Sequence, residues 1–408
     1  MKAMGPIPAG FVAGDDGALL IGDHAATALV AEHGSPLFVY DRQRIGQNIA
    51  HFRAVMPDNV TLHYAVKANP YSPLLTWLAT HVDGFDLASG GELATLEKAG
   101  GLCVPVSFAG PGKRDSEIEQ AIERGVTLNL ESEGEASRAL AIAGRLGVTP
   151  KLAVRVNPPF ALKGAGMKMG GLASPFGVDA NRVPDLARKI VASGAEWRGL
   201  HVYAGSQVLR ADAIIEMQQA IVALAADIAR EARLSMPHVN LGGGFGIPYA
   251  PGDSPLDIDA VGRALCETLR EAPDILAETH YAIELGRWLV GEAGVYLTRV
   301  IDRKKSGGKT FLVTDGGLQH MLAATGNFGQ LLRRNYPIAN ASDFSDKQNE
   351  EFTVTGCLCT PLDLLGDEVM LPRAKVGDLI AIFCAGAYGL SASPQAFLSQ
   401  PAASELLV

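Results

Sequence analysis

The sequence predicts an α/β fold, a TIM-type (β/α)8 barrel joined to a C-terminal antiparallel β domain that includes the N-terminal segment. From residue 62 onward, short apolar segments alternate eight times with turns and helical segments, which is the pattern of such a barrel. After about residue 290 the sequence is β-rich and punctuated by turns, and the first 35 residues also read as short strands. We therefore assign 37–283 to the barrel, and 1–36 together with 284–408 to the β-rich domain.

Each predicted barrel strand is a short apolar run bounded by glycine, proline or polar turn residues. In chain order these strands are LHYAVKA from Leu62, GFDLAS from Gly84, VSFAG from Val106, TLNLES from Thr127, KLAVRVN from Lys151, GLHVYAG from Gly199, HVNLGGG from His238 and HYAIELG from His280. The segments between them are amphipathic; in the one that starts at Asp212, apolar residues recur at three- and four-residue spacing. A doubly wound open sheet has the same alternation and is the structural alternative.

Composition and charge narrow the class of protein. Hydrophobic residues make up 48% of the 408 residues and charged residues 19%, which is a globular balance. The net charge is −9 and the chain has no run rich in lysine and arginine, so nucleic acid and anionic membrane are disfavoured as partners. No apolar run reaches transmembrane length and the N-terminus lacks the apolar core of a signal peptide. We expect a cytoplasmic protein.

The chain has five cysteines, which is an odd number for a disulfide framework. Only Cys357 and Cys359 lie close together in sequence, and a single C-x-C pair is a weak signal for a metal ion. Reduced thiols in a cytoplasmic protein are the better interpretation, and we predict no metal site.

The carboxyl ends of the predicted strands carry polar residues, and active sites of (β/α)8 barrels lie at those ends. The first strand ends in Lys67; burying an unpaired ammonium is costly, so this lysine either extends to solvent, pairs, or reacts as a neutral amine. The remaining strand-end residues are Asp86 and Ser89, Arg155 and Asn157, Tyr203, Gly205 and Ser206, the GGGFG run at 242–246, and Glu284, Gly286 and Arg287.

Each of these residues has an ordinary structural explanation when taken alone. Lys67 could lie along the surface, GGGFG could be a common turn, Tyr203 could be core, and Glu284 could pair with Arg287. Together, however, a lysine amine, a glycine-rich phosphate cradle and a buried carboxylate are the parts that hold pyridoxal phosphate (PLP) as a Schiff base. Glycine lets backbone N–H groups approach a phosphate, and a carboxylate keeps the pyridine nitrogen protonated.

Seven ordered segments resemble the fold-type III PLP-dependent decarboxylases, the family of diaminopimelate, ornithine and arginine decarboxylases. The segments are YAVKANP, GFDLASGGEL, HVYAGSQ, GGGFG, ELGR, GCLCTPLDLL and GAYGLSAS. The resemblance implies that Lys67 carries PLP. The other cofactor-binding residues that it implies are Asp86, Arg155, Tyr203, Ser206, Gly243, Gly244, Glu284, Gly286, Arg287 and Tyr388.

The resemblance also implies a homodimer with shared active sites. The late β-rich domain of one subunit would contribute Cys359 and Asp363 to the barrel of its partner, with Cys359 as the proton donor to Cα. The alternative for Cys359 is a buried, inert thiol. The catalytic residues implied are therefore Lys67, Glu284 and Cys359.

The chain departs from the family where the family binds its substrate. Tyr203 replaces the second histidine of the H-x-H-x-G-S-Q segment, Thr360 replaces an acidic residue that binds a distal ammonium, and TDGGLQHMLAATGN lacks the arginine of the diaminopimelate enzymes. Missing partners of this kind cost up to about 10⁴-fold or more in discrimination. Neither free diaminopimelate nor free ornithine is therefore expected as a good substrate.

A long glycine-rich connection follows the fifth strand, and it also differs from the family. Its sequence, LKGAGMKMGGLASPFG, contains Lys163 and Lys168. Loops of this length in a compact domain are usually functional. With FAGPGKR, it resembles in particular the decarboxylases found with exosortase-A systems and related enzymes acting on carrier-tethered amino acids. A larger or carrier-tethered substrate, contacted by Thr360, Asp363 and Lys168, is therefore the hypothesis; the lysines could equally be solvated on a lid.

The leading hypothesis is a PLP-dependent amino-acid α-decarboxylase. An amino-acid racemase on the same fold is the alternative enzyme, but racemases of this type pair the pyridine nitrogen with an arginine, whereas Glu284 stands here. The third hypothesis is an inactive regulatory homologue that binds a protein partner, which the intact Lys67, glycine run, Glu284 and Arg287 disfavour.

Overall fold

The computed structural model describes residues 2–160, 167–168, 173–328, 333–346 and 348–408, with the backbone alone at 167–168. The chain forms two compact units. The first comprises Asn48–Gly246 and Leu256–Gly286; the second comprises Met1–Gln47, Ile247–Pro255 and Arg287–Val408.

The N-terminal elements precede the barrel. They are β1 Leu20–Ile21, β2 His24–Ala25, α1 Ala26–His33, β3 Leu37–Tyr40 and α2 Arg42–Val55. All four residues of β3 are buried, and the strand pairs antiparallel with a later strand that begins at Gly294. The N-terminal segment therefore belongs to the β-rich unit, as predicted.

The first unit is built on parallel strands. The strands from residue 60 to residue 285 are β4 Val60–Ala65, β5 Gly84–Leu87, β6 Val106–Phe108, β7 Thr127–Leu130, β8 Lys151–Asn157, β9 Met167–Lys168, β10 Val178–Asp179, β11 Glu196–Val202, β12 Gly205–Ser206, β13 His238–Asn240 and β14 His280–Leu285. The order β4-β5-β6-β7-β8-β11-β13-β14 returns to β4, because β7 pairs with β8 and β14 pairs with β4.

These pairings close the predicted (β/α)8 barrel and exclude the open doubly wound sheet. All eight predicted strands are confirmed among the described residues, with β11 starting earlier than expected. Outside the closed ring, β10 pairs parallel with the end of β8, and β9 pairs antiparallel with β12.

Helices follow the barrel strands as the amphipathic pattern predicts. They are α3 Ser72–Leu78, α4 Gly90–Lys98, α5 Asp115–Glu123, α6 Glu133–Leu146, α7 Val183–Ala192, α8 Ala211–Ala232 and α9 Ile258–Arg270. Helix α6 shows how its ends are fixed: the Ser132 hydroxyl accepts the Glu135 N–H at 3.0 Å, and Gly147 ends the helix at a φ of 67°. In α8 the recurring apolar residues form the buried face.

Short 3-10 turns connect several elements. In the described residues they are Val66–Ala68, Gly101–Cys103, Ala180–Arg182, Asp274–Leu276, Leu322–Thr325, Leu390–Ala392 and Phe397–Ser399. The first of them directly follows β4 and contains Lys67.

The second unit contains a mixed sheet. After helix α10 Arg287–Val290, its strands are β15 Gly294–Ser306, β16 Lys309–Thr314, β17 Ile338–Asn340, β18 Asn349–Thr355, β19 Leu364–Pro372, β20 Leu379–Ile382 and β21 Ser404–Leu407. Most neighbours are antiparallel, but β16 pairs parallel with β18 and β21 pairs parallel with β3. The predicted β domain is therefore confirmed, but its sheet is mixed rather than antiparallel, because the strands of these two pairs are joined by long connections and not by hairpins.

The borders of the compact units lie away from the borders assigned from the sequence. Strand β3 belongs to the mixed sheet, although residue 37 was assigned as the start of the barrel, and residues 247–255 also group with the second unit. Within the described part of the chain, no helix combines the length and the apolar character needed to span a bilayer.

Candidate active site

Lys67 lies where the first barrel strand ends. Its neighbours Val66 and Ala68 are buried while Lys67 is exposed, so the turn holds the backbone in the core and directs the side chain outward. Its Nζ lies 4.8 Å from the ring centroid of Tyr203, a buried residue that follows β11. Contact with an aromatic face stabilises an ammonium. The structure therefore brings together two predicted residues from strands that are not adjacent in sequence.

The glycine run after β13 lies against the ends of neighbouring strands. The Gly242 N–H donates to Asn240 Oδ1 at 2.8 Å, and the Gly242 carbonyl accepts the Glu284 N–H at 2.9 Å. A Cβ at Gly243 would overlap the Glu284 carbonyl oxygen, and one at Gly244 would overlap that of Gly205. Only glycine fits at these two positions, so the loop presents backbone rather than side chains.

Gly286 makes a second close approach. A Cβ at this position would lie 2.6 Å from the Cβ of Ala68, in the turn that carries Lys67. The Lys67 turn and the end of β14 can therefore pack together only because position 286 has no side chain.

Glu284 is buried on β14 and hydrogen-bonded to a histidine. His201 Nε2 lies 3.0 Å from Glu284 Oε2, and the side chains are only 3% and 5% exposed. The described partner of this carboxylate is therefore a histidine on β11. His201 was not among the predicted site residues, although it lies two positions before Tyr203 in the same motif.

Asp86 lies on β5 in the barrel interior, next to a second histidine. His63 Nδ1 lies 3.3 Å from Asp86 Oδ2, and the Ser107 hydroxyl donates to Oδ1. Burial alone would raise the pKa of Asp86, but His63, His201 and Ser107 together lower it. Burial alone would likewise lower the pKa of His63, yet Asp86 and the more distant Glu284 raise it. Both groups are therefore favoured in their charged forms.

Arg155 is held by a buried carboxylate that the sequence did not single out. Its Nη1 donates to Glu131 Oε1 at 2.9 Å. The other oxygen of Glu131 accepts the Gly177 N–H at 3.0 Å, and the Gly110 N–H also donates to Oε1. Glu131 thus ties β8 to two loops at the same end of the barrel and holds the Arg155 side chain in place. The role of Arg155 in cofactor binding stays a prediction.

Ser206 forms β12 with Gly205. Its backbone pairs with Met167, and Gly205 pairs with Lys168, which ties part of the glycine-rich connection to the end of β11. Lys163 lies outside the described residues, and for Lys168 only the backbone is described. The predicted contacts of these two lysines with a substrate stay predictions.

Arg287 and Tyr388 come together in the β-rich unit. The Arg287 guanidinium carbon lies 4.7 Å from the Tyr388 ring centroid, and its Nη1 donates to the Tyr249 hydroxyl at 2.8 Å. Burial raises the pKa of Tyr249 to about 12, so this hydroxyl is a neutral acceptor at ordinary pH. Tyr388 has a φ of 54°, which is unusual for a residue with a side chain and is typical of functional sites.

Cys359, Thr360 and Asp363 share one loop of the β-rich unit, between β18 and β19. Cys359 is exposed, whereas Asp363 is buried. Oxygens of the Asp363 carboxylate accept the Leu318 N–H at 2.6 Å and the Leu358 N–H at 2.8 Å. Asp363 therefore fixes the loop that presents Cys359, because each of its oxygens accepts a backbone hydrogen bond. Its predicted contact with a substrate stays a prediction.

The barrel residues fit PLP, the cofactor that the sequence resemblance implies. An exposed lysine amine at a strand end can bond its aldehyde, and backbone that only glycine permits can approach its phosphate. The buried carboxylate of Glu284 can hold a proton on its ring nitrogen.

The comparisons with known proteins agree with this assignment. Residues 42–291 match the family model of the pyridoxal-dependent decarboxylases, pyridoxal binding domain. L-glutamyl-[BtrI acyl-carrier protein] decarboxylase of Niallia circulans is 35% identical over 389 residues, which is 93% of this chain and 90% of that protein. Diaminopimelate decarboxylase of Methanothermobacter thermautotrophicus is 32% identical over 405 residues, covering 97% and 91% of the two chains.

The fold is likewise that of solved structures. Diaminopimelate decarboxylase from M. jannaschii in complex with L-lysine superimposes with a TM-score of 0.87 at 26% identity. The superposition covers 98% of this chain and 93% of that chain.

Proposed function

The chain belongs to the pyridoxal-dependent decarboxylases, and from this premise we propose that it removes the α-carboxyl group of an amino acid whose far end is large or is tethered to a carrier protein. That the enzyme is a PLP-dependent lyase follows from its family. The substrate is the new element, and the neutral Thr360 directly after Cys359 is the observation that supports it.

The roles of the barrel residues follow from their chemistry. When bound, PLP withdraws the electron pair that remains at Cα after CO2 departs. Lys67 Nζ would bond the cofactor before the substrate amine replaces it, and the N–H groups of Gly243 and Gly244 would bind the phosphate. Glu284 would keep a proton on the ring nitrogen, which strengthens the withdrawal of electrons.

Cys359 would complete the reaction. When the bond between Cα and the carboxyl carbon breaks, its electron pair stays at Cα, and the Cys359 Sγ–H of the second subunit would protonate that carbon. The thiol is exposed in the β-rich unit, on the loop that Asp363 fixes, so it is accessible to a substrate. Cys357, in contrast, accepts a hydrogen bond from Gln319 at 3.2 Å, and burial raises its pKa. We therefore assign Cys357 a structural role.

Glu284→Gln is expected to retain bound cofactor and to lower kcat by roughly a hundredfold or more, because a neutral amide cannot hold the ring proton by charge. Single-turnover release of CO2 measures the chemical step. The matched control is Glu278→Gln, which changes an exposed carboxylate just before β14 and is expected to leave kcat unchanged. Unchanged turnover in Glu284→Gln, with chemistry rate-limiting, would mean that the carboxylate has another role.

The substrate hypothesis rests on charge. Thr360 offers a hydroxyl, which accepts the Leu362 N–H at 3.3 Å, where the family resemblance places an acid for a distal ammonium. A free diamino acid would lose its ionic partner there, whereas an amino acid whose far end is bonded to a carrier needs none. The similarity to a decarboxylase of a carrier-bound glutamyl group supports the same proposal.

We expect kcat/KM below ~10⁴ M⁻¹s⁻¹ for free diaminopimelate, ornithine and arginine, and a higher value for a carrier-loaded amino acid. Steady-state CO2 release across both sets is the measurement. Thr360→Asp should improve turnover of the free diamino acids, and Thr360→Ser, which keeps the hydroxyl, serves as its control. Efficient turnover of free diaminopimelate by the unchanged enzyme would contradict the proposal.

Assembly and location are also part of the proposal. We infer a homodimer that shares its active sites, with a carrier protein as a second partner. The five cysteines, all within the described residues, are free thiols, which supports a reducing, cytoplasmic compartment. The finer likeness to the decarboxylases of exosortase-A systems stays a prediction.

The racemase alternative is not favoured, because the similar proteins are decarboxylases. The two reactions are distinguished directly: a racemase inverts Cα and retains the carboxyl group, whereas this enzyme should release one CO2 per substrate. An inactive homologue would show neither result.

A further inference from the structure

Four titratable side chains lie together in the interior of the barrel. Glu284 and His201 come from β14 and β11, and His63 and Asp86 from β4 and β5, with exposures of 5%, 2%, 7% and 7%. Barrel interiors are mostly filled by branched apolar side chains. Burial of two carboxylates and two imidazoles in one interior is costly unless they pair with one another.

The pairing is specific. His201 Nε2 contacts Glu284 Oε2 at 3.0 Å, and an ionised carboxylate has no proton to give, so the histidine must donate. This fixes the proton of His201 on Nε2. Its other ring nitrogen, Nδ1, is buried and has no hydrogen-bond partner among the residues that the structure describes. The ring is therefore held by its contact with Glu284.

We propose that His201 is the positioning residue for Glu284: its Nε2–H holds one carboxylate oxygen, so that the carboxylate keeps one orientation toward the ring nitrogen of the cofactor. The inference rests on the proposed function of Glu284. His201 itself would not touch the reacting atoms.

The second pair explains why a donor is needed. Asp86 interacts with His201 as well as with His63, and His63 interacts with Glu284 as well as with Asp86. Two carboxylates that share a buried site push a proton onto one of them unless positive charge or donors offset the repulsion. His63 does so for Asp86 at 3.3 Å, and His201 does so for Glu284. Without His201, the Glu284 carboxylate would lose the donor that orients it and would stabilise a protonated ring nitrogen less well.

The test compares His201→Leu, which removes the donor, with His201→Gln, whose amide N–H can replace it. For His201→Leu we expect kcat to fall about 10- to 100-fold and KM to change little. Losses of this size are typical when a residue that orients a metal ligand through a hydrogen bond is removed. Independently of activity, the ring nitrogen should lose its proton at a lower pH, which ¹⁵N NMR of labelled cofactor in the holoenzyme measures. His201→Gln should recover most of both losses. His280→Gln, an exposed histidine on the same strand as Glu284, is the matched control and should change neither quantity.

The outcomes separate the inference from its premise. If Glu284→Gln leaves the ring nitrogen unchanged, the proposed role of Glu284 fails. If Glu284→Gln shifts it and His201→Leu does not, or if His201→Leu and His201→Gln behave alike, the positioning role is wrong. Should His201→Leu not fold by circular dichroism, His201→Asn, whose shorter amide withdraws the donor, replaces it in the comparison with His201→Gln.

Discussion

Lys67→Ala is expected to abolish covalent attachment of PLP and to lower decarboxylation by roughly 10³-fold or more, because the amine both bonds the cofactor and moves protons. The structure places this amine in the turn that follows β4, 4.8 Å from the ring centroid of Tyr203. Reduction with borohydride followed by peptide mass spectrometry should locate the adduct on Lys67 in the unchanged enzyme and find none in the variant.

Lys98→Ala is the matched control, because Lys98 lies exposed at the end of α4. It should retain both the adduct and the activity. A borohydride-stable adduct that persists in Lys67→Ala would assign the cofactor to another lysine.

The second large effect concerns assembly. Lys67→Ala and Cys359→Ala subunits are each expected to be inactive, and mixing them should restore one working site per heterodimer, because each would supply the residue that the other lacks. Cys359 belongs to the β-rich unit and Lys67 to the barrel unit, so the two substitutions lie in different compact units of the chain. CO2 release after subunit exchange, followed by native mass spectrometry, is the measurement.

A chain that carries both substitutions provides the control. Mixed with Lys67→Ala, it should restore nothing, since both barrels then lack the amine. If Lys67→Ala and Cys359→Ala subunits exchange and still show no recovery, the shared-site proposal is wrong.

The barrel could be predicted because its signal is local. Each strand is a short buried run between turn residues, and β8, for example, matches the predicted segment from Lys151 to Asn157. The parallel strand pairs of the β-rich unit could not be predicted. For example, nothing in the sequence of β3 specifies that it pairs with β21. Lys67 was read as the end of a strand but lies in a 3-10 turn, one of the boundary details that periodicity does not resolve.

The site was predictable to the extent that its residues have distinctive chemistry at strand ends. Lys67, Glu284 and the glycine run stood out in this way, and the structure places them at one end of the same barrel. His201 did not, because a polar residue inside a strand looks like any inward-facing position until its partner across the barrel is known. Glu131 directly follows β7, and nothing in the sequence shows that it pairs with Arg155. For Asp363 the motif predicted substrate binding. That its oxygens accept backbone N–H groups could not be predicted, because the donors, Leu318 and Leu358, depend on how the loop folds.

The pairing of β3 has a consequence for the synthesis of the protein. Its residues Leu37–Tyr40 emerge from the ribosome early, yet they pair with β15 from Gly294 and with β21 from Ser404. All strands that close the barrel lie between β3 and β15 in the chain, so the barrel can form before β3 has a partner strand. During that interval an apolar strand with two open edges is exposed, and a nascent chain stalled before residue 294 is expected to depend on chaperones and to aggregate when they are depleted.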